Sequence, residues 1–163
     1  MGKWHGLLRA YFMGPRHWVL DRDLTFEIDD IFERDFNVWR SFGITMHRTD
    51  HHSITITAKK GTHTDLASIS RALWAFISPW DVARAAVIHD ILYAAIREQI
   101  NKNRISSETV ERLRNQADTV FIDGMKAADP NVPNWKINAC YRSVRIFGRW
   151  AVKKKSSALV DTP

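Results

Sequence analysis

The period of the apolar positions changes near residue 78. Before it, Leu24-Thr25-Phe26-Glu27-Ile28 and Ser53-Ile54-Thr55-Ile56-Thr57 alternate apolar with polar and are rich in β-branched or aromatic residues. That pattern predicts strands with one buried face. Phe36-Asn37-Val38-Trp39-Arg40 reads the same way, and Trp18-Val19-Leu20 is a shorter strand across the charged corner Asp21-Arg22-Asp23. Asp50-His51-His52 is expected to be a hairpin turn, and Lys59-Lys60-Gly61 to end the last strand. Asp29 to Phe36 reads as strand and turn like the rest of this half, or instead as a short helix.

After Ser78 the spacing becomes helical. Ser78 suits an N-cap, Pro79 the first helical position and Asp81 the positive end of the dipole. Val82, Ala85, Ala86, His89, Leu92, Tyr93 and Ile96 recur at intervals of three and four. A loop over 101–106 leads to a second helix, opened by Ser107, Glu108 and Glu111, with the stripe Val110, Leu113, Ala117, Val120, Phe121 and Met125. Asp129-Pro130-Asn131-Val132-Pro133 stops it. A third helix starts near Asn134 and is expected to turn Trp135, Cys140, Tyr141, Val144, Phe147 and Ala151 toward a core. The expected class is α+β in one domain over 1–155, strand-rich over 1–62 and helical over 66–155, with a flexible tail over 156–163.

Composition narrows this picture. The 163 residues are 45% hydrophobic, enough for a packed core. One cysteine, Cys140, excludes an internal disulfide and any zinc cage made of cysteines. Neither a signal peptide nor a membrane-spanning run is expected. The net charge of +6 is unevenly spread. Residues 134–163 hold seven Lys and Arg against one acid, so the rest of the chain is near neutral. Lys136, Arg142, Arg145, Arg149, Lys153, Lys154 and Lys155 form the expected contact to a membrane or another polyanion.

Three places could carry chemistry. Gly61-Thr62-His63-Thr64-Asp65 is an oxygen-rich corner between the last strand and the helices. Gly61, Thr64 and Asp65 could help hold a hard cation, or the corner could simply cap the segment Leu66 to Ile77. His89-Asp90 lies mid-helix with Tyr93 one turn on. Adjacent helical residues diverge by about 100°, so His89 and Asp90 need separate partners. His89 is then either a core histidine bonded to a nearby acid or a base. Asp118 lies in the apolar stripe of the next helix, or at its exposed edge if the stripe is rotated. If the two helices pack antiparallel, Asp118 reaches His89, fixes its tautomer and leaves the other ring nitrogen as a base. No His-x-x-x-His or multi-His set in the helical half supports zinc, and His51, His52 and His63 read as exposed turn residues.

Thr64-Asp65-Leu66-Ala67-Ser68-Ile69, Ala85-Ala86-Val87-Ile88-His89-Asp90-Ile91-Leu92-Tyr93, Ala117-Asp118-Thr119-Val120-Phe121 and Val144-Arg145-Ile146-Phe147-Gly148 carry a resemblance. They resemble an uncharacterised family of small proteins from tailed phages and prophages, with the pattern T-D-x-A-S-x-P, A-A-x-x-H-D-x-L-Y, A-D-x-x-F and V-x-x-F-G. The likeness covers about residues 50–150. It departs at Thr62, where an aromatic is usual, and at Ser70, where proline is usual. The helical pair of motifs is also similar to the phospholipase A2 domain of parvovirus capsids and to secreted phospholipases A2. That similarity implies His89 as base, Asp90 as calcium ligand, Asp118 as the residue orienting His89, and Tyr93 as a supporting hydrogen bond.

The first expectation is therefore a phage-encoded, metal-assisted hydrolase of lipid esters, with calcium as cofactor and anionic membrane lipid as partner. The second is a structural virion component, bound to other virion proteins or to its own copies as a homo-oligomer, with a buried His/Asp network. The third is nonspecific nucleic-acid binding through the basic third helix.

Overall fold

A computed structural model describes residues 2–14, 17–29, 32, 34–49, 52–64 and 79–151. The expected turn at Asp50-His51, the segment Leu66 to Ile77, the Ser78 cap and the tail 156–163 lie outside these residues. The architecture is α+β, with two antiparallel sheets from the N-terminal half and helices from the C-terminal half.

The larger sheet holds β1 (Lys3–His5), β4 (Leu24–Asp29), β5 (Thr45–Arg48) and β6 (Ser53–Ala58), in the order β1-β4-β6-β5. Its register pairs Leu24 with Ala58, Phe26 with Ile56 and Ile28 with Ile54. All six side chains are buried, so the period-two pattern of both strands points at one core face. The alternate residues Thr25 and Thr57 pair hydroxyl to hydroxyl at 2.9 Å. The smaller sheet holds β2 (Ala10–Gly14), β3 (His17–Leu20) and β7 (His63–Thr64), in the order β2-β3-β7. The corner Asp21–Asp23 thus passes the chain from one sheet to the other. Asp23 also takes the Lys60 N–H at 2.8 Å and the Lys59 ammonium at 3.0 Å, which closes the end of β6.

The stretch Phe36–Arg40 is not a strand. It belongs to helix α1 (Phe36–Ser41). Phe32, Asp35 and Trp39 are buried and Phe36 is partly buried, a spacing of three and four that a five-residue window misses. Asp35 fixes this helix to the C-terminal half. Its carboxylate takes two hydrogen bonds from Arg112, at 2.9 and 3.1 Å, and one from Gln116 at 2.9 Å. The Gln116 carbonyl in turn accepts the Trp39 indole N–H at 2.8 Å.

Helix α2 (Pro79–Asn101) is the central element. Its predicted stripe is buried, and Val87 and Ile88 add a second buried face among the sheet residues. A helix enclosed on two sides needs apolar residues well beyond one stripe. Helix α3 (Ser107–Lys126) is capped by Ser106, whose hydroxyl accepts the Thr109 N–H at 3.2 Å. It lies along α2, and Gly124 lets them close: a Cβ there would sit 3.0 Å from the Ala85 Cβ and from a Trp4 ring carbon. The Trp4 indole N–H donates to the Gly124 carbonyl at 2.9 Å.

Helix α4 (Asn134–Ala151) packs on α3 through Ile137, Cys140 and Val144. This stripe corrects two expectations. Trp135 is 58% exposed and Tyr141 is 39% exposed, because both fall off the line 137–140–144. No helix among the described residues is long and apolar enough to cross a membrane.

Candidate functional site

The antiparallel arrangement of α2 and α3 brings His89, Tyr93 and Asp118 together. His89 and Tyr93 lie one turn apart on α2, so both face the same side chain on α3. The His89 Nε2 stands 3.0 Å from Asp118 Oδ1, and the Tyr93 hydroxyl donates to the same oxygen at 2.8 Å. The second oxygen, Oδ2, accepts from the Arg145 guanidinium at 3.1 Å. His89 is 2% exposed and Asp118 1%. The imidazole also packs against the rings of Tyr93 and Phe121, with centroids at 4.2 and 5.1 Å. Asp118 thus lies on the buried stripe of α3 and not at its edge.

Burial pushes the Asp118 carboxyl up. The hydrogen bonds from His89, Tyr93 and Arg145, together with the charge of His89, outweigh that and hold it below the usual Asp value. Burial, reinforced by the negative Asp118, pushes the Tyr93 phenol far up, so it remains a hydrogen-bond donor. With Asp118 ionised, its oxygens can only accept. Nε2 must then carry a proton, and in the neutral form of the ring Nδ1 holds the lone pair. Nδ1 is buried and has no hydrogen-bond partner among the described residues.

Asp90 faces another way, as its helical position requires. Its carboxylate accepts the Thr64 hydroxyl at 2.6 Å, which joins α2 to the end of β7. Thr64 and Asp90 are therefore neighbours. Asp65 lies outside the described residues. Gly61 sits in the turn before β7 with φ of +84°, and its N–H donates to the Leu20 carbonyl at 2.8 Å. Among the described residues no group of three or more His, Cys, Asp or Glu is placed to hold a metal ion.

By sequence Arg145 belongs to the cationic outer face of α4, and the structure assigns it differently. Besides Asp118, its guanidinium binds Glu111 at 2.8 Å and the Asn115 side-chain carbonyl. Burial works against its charge, but the contacts with Glu111 and Asp118 win and hold it protonated. Glu111 also accepts from the buried Arg114 at 2.8 Å. Sequence reasoning misses Glu111 and Arg114 as members of the site. The readable signal is their spacing of 111, 114 and 118 on one helical face. Arg142 is exposed and Lys136 partly so, while Arg149 lies in the last turns of α4. Lys153, Lys154 and Lys155 lie outside the described residues. A separate cleft of about 440 Å³ is lined by Lys3, Trp4, Arg84 and Lys126 among others, and His89 is not part of it.

The chain belongs to the family described as protein of unknown function DUF1353, whose model matches residues 43–144. That span contains Thr64, His89, Asp90, Tyr93, Glu111 and Asp118. No curated protein and no solved structure matches the chain.

Proposed function

We propose, for this member of an uncharacterised family, hydrolysis of a lipid ester with His89 as general base. The observation that carries the reading is the Nδ1, unpartnered among the described residues, of a buried imidazole whose Nε2 is held by Asp118. A histidine kept only for packing is expected to satisfy both ring nitrogens, since buried polar atoms rarely go unpaired. Here one nitrogen is fixed and the other is left with an unused lone pair, which is the arrangement a base needs.

In the proposed reaction, Nδ1 takes a proton from water as the water oxygen bonds to the ester carbonyl carbon. The imidazolium so formed is stabilised through Nε2–H by the ionised Asp118. Collapse of the tetrahedral intermediate breaks the carbon–oxygen bond to the alcohol, which leaves with the proton from Nδ1. Tyr93 and Arg145 keep Asp118 in place and ionised while the ring changes charge. The phospholipase resemblance implies calcium as cofactor, with Asp90 among its ligands. Calcium takes six to eight oxygens. The described residues bring together only the Asp90 carboxylate and the Thr64 hydroxyl, so they do not fit a calcium site by themselves and no step is drawn through the ion.

The test is release of fatty acid from phosphatidylglycerol vesicles, with and without calcium. His89→Ala is expected to lower the rate about a hundredfold or more. No release by the unaltered protein, or equal release by a folded His89→Ala protein, refutes the reading. A second reading, as a virion component, draws on the same burial. His89 at 2% exposure is enclosed as a structural network would be. It is supported by the resemblance to phage and prophage proteins, and it expects His89→Ala to lower the melting temperature with no activity to lose.

A further inference from the structure

The β2–β3 hairpin is the most apolar exposed part of the described chain. Tyr11, Phe12 and Met13 of β2 are 48%, 58% and 62% exposed, and Leu7 just before them is 63% exposed. Tyr11 and Phe12 point to opposite faces of the strand, and Met13 falls at an irregularity in the pairing between Phe12 and Gly14. Both faces of β2 are therefore open, and the strand stands at the edge of its sheet. A protein normally blunts such an edge with charge or covers it. This chain instead clusters large apolar side chains there, and large exposed apolar patches mark interaction sites.

Charge identifies the occupant. Residues 1–20 contain Lys3, Arg9 and Arg16 and no Asp or Glu. β2 itself is uncharged and its exposed neighbour Arg9 is cationic, so a second copy would bring a charge of the same sign to this edge. An anionic lipid surface reverses that sign. At headgroup depth water still reaches the free edge of β2, and rings such as Tyr11 and Trp18 suit that layer. The hairpin is also joined to the His89 site. Phe12 stacks on Trp18 at 5.3 Å, Trp18 pairs in register with Thr64, and Thr64 bonds Asp90 beside His89.

We propose that the β2–β3 hairpin docks the protein on anionic lipid, with Leu7, Tyr11, Phe12 and Met13 entering the headgroup and upper acyl layer. This deepens the lipid-ester reading by naming the surface that meets the substrate. It is tested with non-hydrolysable ether-linked lipids, so loss of activity and loss of docking are separate results.

Cys140 is buried and is the chain's one cysteine, so a thiol introduced by Met13→Cys accepts a polarity-sensitive dye selectively. On vesicles of ether-linked phosphatidylglycerol the dye emission is expected to rise and shift to the blue. Pure phosphatidylcholine or high salt should weaken the response. In the unlabelled chain, Phe12→Ser with Met13→Ser should lower co-sedimentation with these vesicles about tenfold or more. Neither residue belongs to a core cluster and only the Phe12–Trp18 stacking is lost, so the variant should stay folded with a small change in melting temperature. An unchanged dye signal, or undiminished co-sedimentation of the double variant, overturns the proposal. So does a concentration-dependent dimer that the double variant dissolves while the vesicles have no effect, which assigns the hairpin to a second copy.

Discussion

Replacing Asp118 by Asn keeps the shape of the side chain and removes its charge. The carboxylate accepts three hydrogen bonds, from His89, Tyr93 and Arg145. If the amide oxygen of Asn faces His89 and Tyr93, its NH2 opposes the Arg145 guanidinium, donor against donor. Rotating the amide restores Arg145 and turns the NH2 on His89 and Tyr93 instead. Either way at least one charge-assisted bond is lost, each worth about 1.5–3 kcal/mol. Removing one partner of a buried ion pair costs about 3–5 kcal/mol. Arg145 keeps Glu111 and is 27% exposed, so the lower part of that range applies. The expected loss is about 2–4 kcal/mol, or roughly 6–12 °C in melting temperature for a chain of this size.

The dependence on pH separates this account from a packing defect. The folded carboxyl titrates below its ordinary value, so its contribution is fully present above about pH 4–5 and disappears as pH falls through the folded value. A protonated Asp118 resembles Asn in charge. The gap between the unaltered protein and Asp118→Asn, measured by thermal unfolding from pH 7 to pH 3, should therefore be constant near neutrality and narrow in acid. A loss under about 2 °C at pH 7, or a gap that persists unchanged at pH 3, refutes the reasoning.

Other substitutions test neighbouring parts of the structure. Tyr93→Phe deletes one donor to Asp118 and should cost about 1–2 kcal/mol in chemical denaturation, with less effect in an Asp118→Asn background. Asp35→Ala leaves Arg112 and Gln116 facing a missing carboxylate and should cost about 2–4 kcal/mol; a loss within ordinary surface-substitution scatter would show that α1 is held by Trp39 packing alone. Gly124→Val forces methyl groups against Ala85 and Trp4 and should destabilise by about 1–3 kcal/mol. An unchanged melting curve would mean that α2 and α3 are less closely apposed at Gly124.

The helical half was legible because its information is local. Each stripe of α2 and α3 spans several turns, long enough for a period of 3.6 to show, and the stripes place His89, Tyr93 and Asp118 on faces that meet once the helices pair. The strands β4 and β6 were equally plain, because strict alternation of β-branched and aromatic residues with polar ones fits a pleated strand and no helical face. At Phe36–Arg40 the window was too short, and only Phe32 and Asp35 upstream reveal the helical spacing. The short strands β1, β2 and β5 carry two to four informative positions each, and they exist because a neighbouring strand supplies their hydrogen bonds.

By itself, then, the sequence determined the apolar faces of α2 and α3, that His89 and Asp90 must find different partners, and that Asp118 would reach His89 if the two helices packed antiparallel. The tertiary structure alone decided which polar groups those faces meet. Arg145 is 27 residues from Asp118 and Asp35 is 77 from Arg112, and no local pattern records which cation reaches which carboxylate. It also decided which apolar residues stay uncovered. Tyr11, Phe12 and Met13 are as apolar as many core residues, and they are exposed because the strand carrying them lies at a sheet edge that the described chain leaves largely uncovered. Burial is set by what packs against a residue as well as by its own hydrophobicity, and that depends on distant parts of the chain.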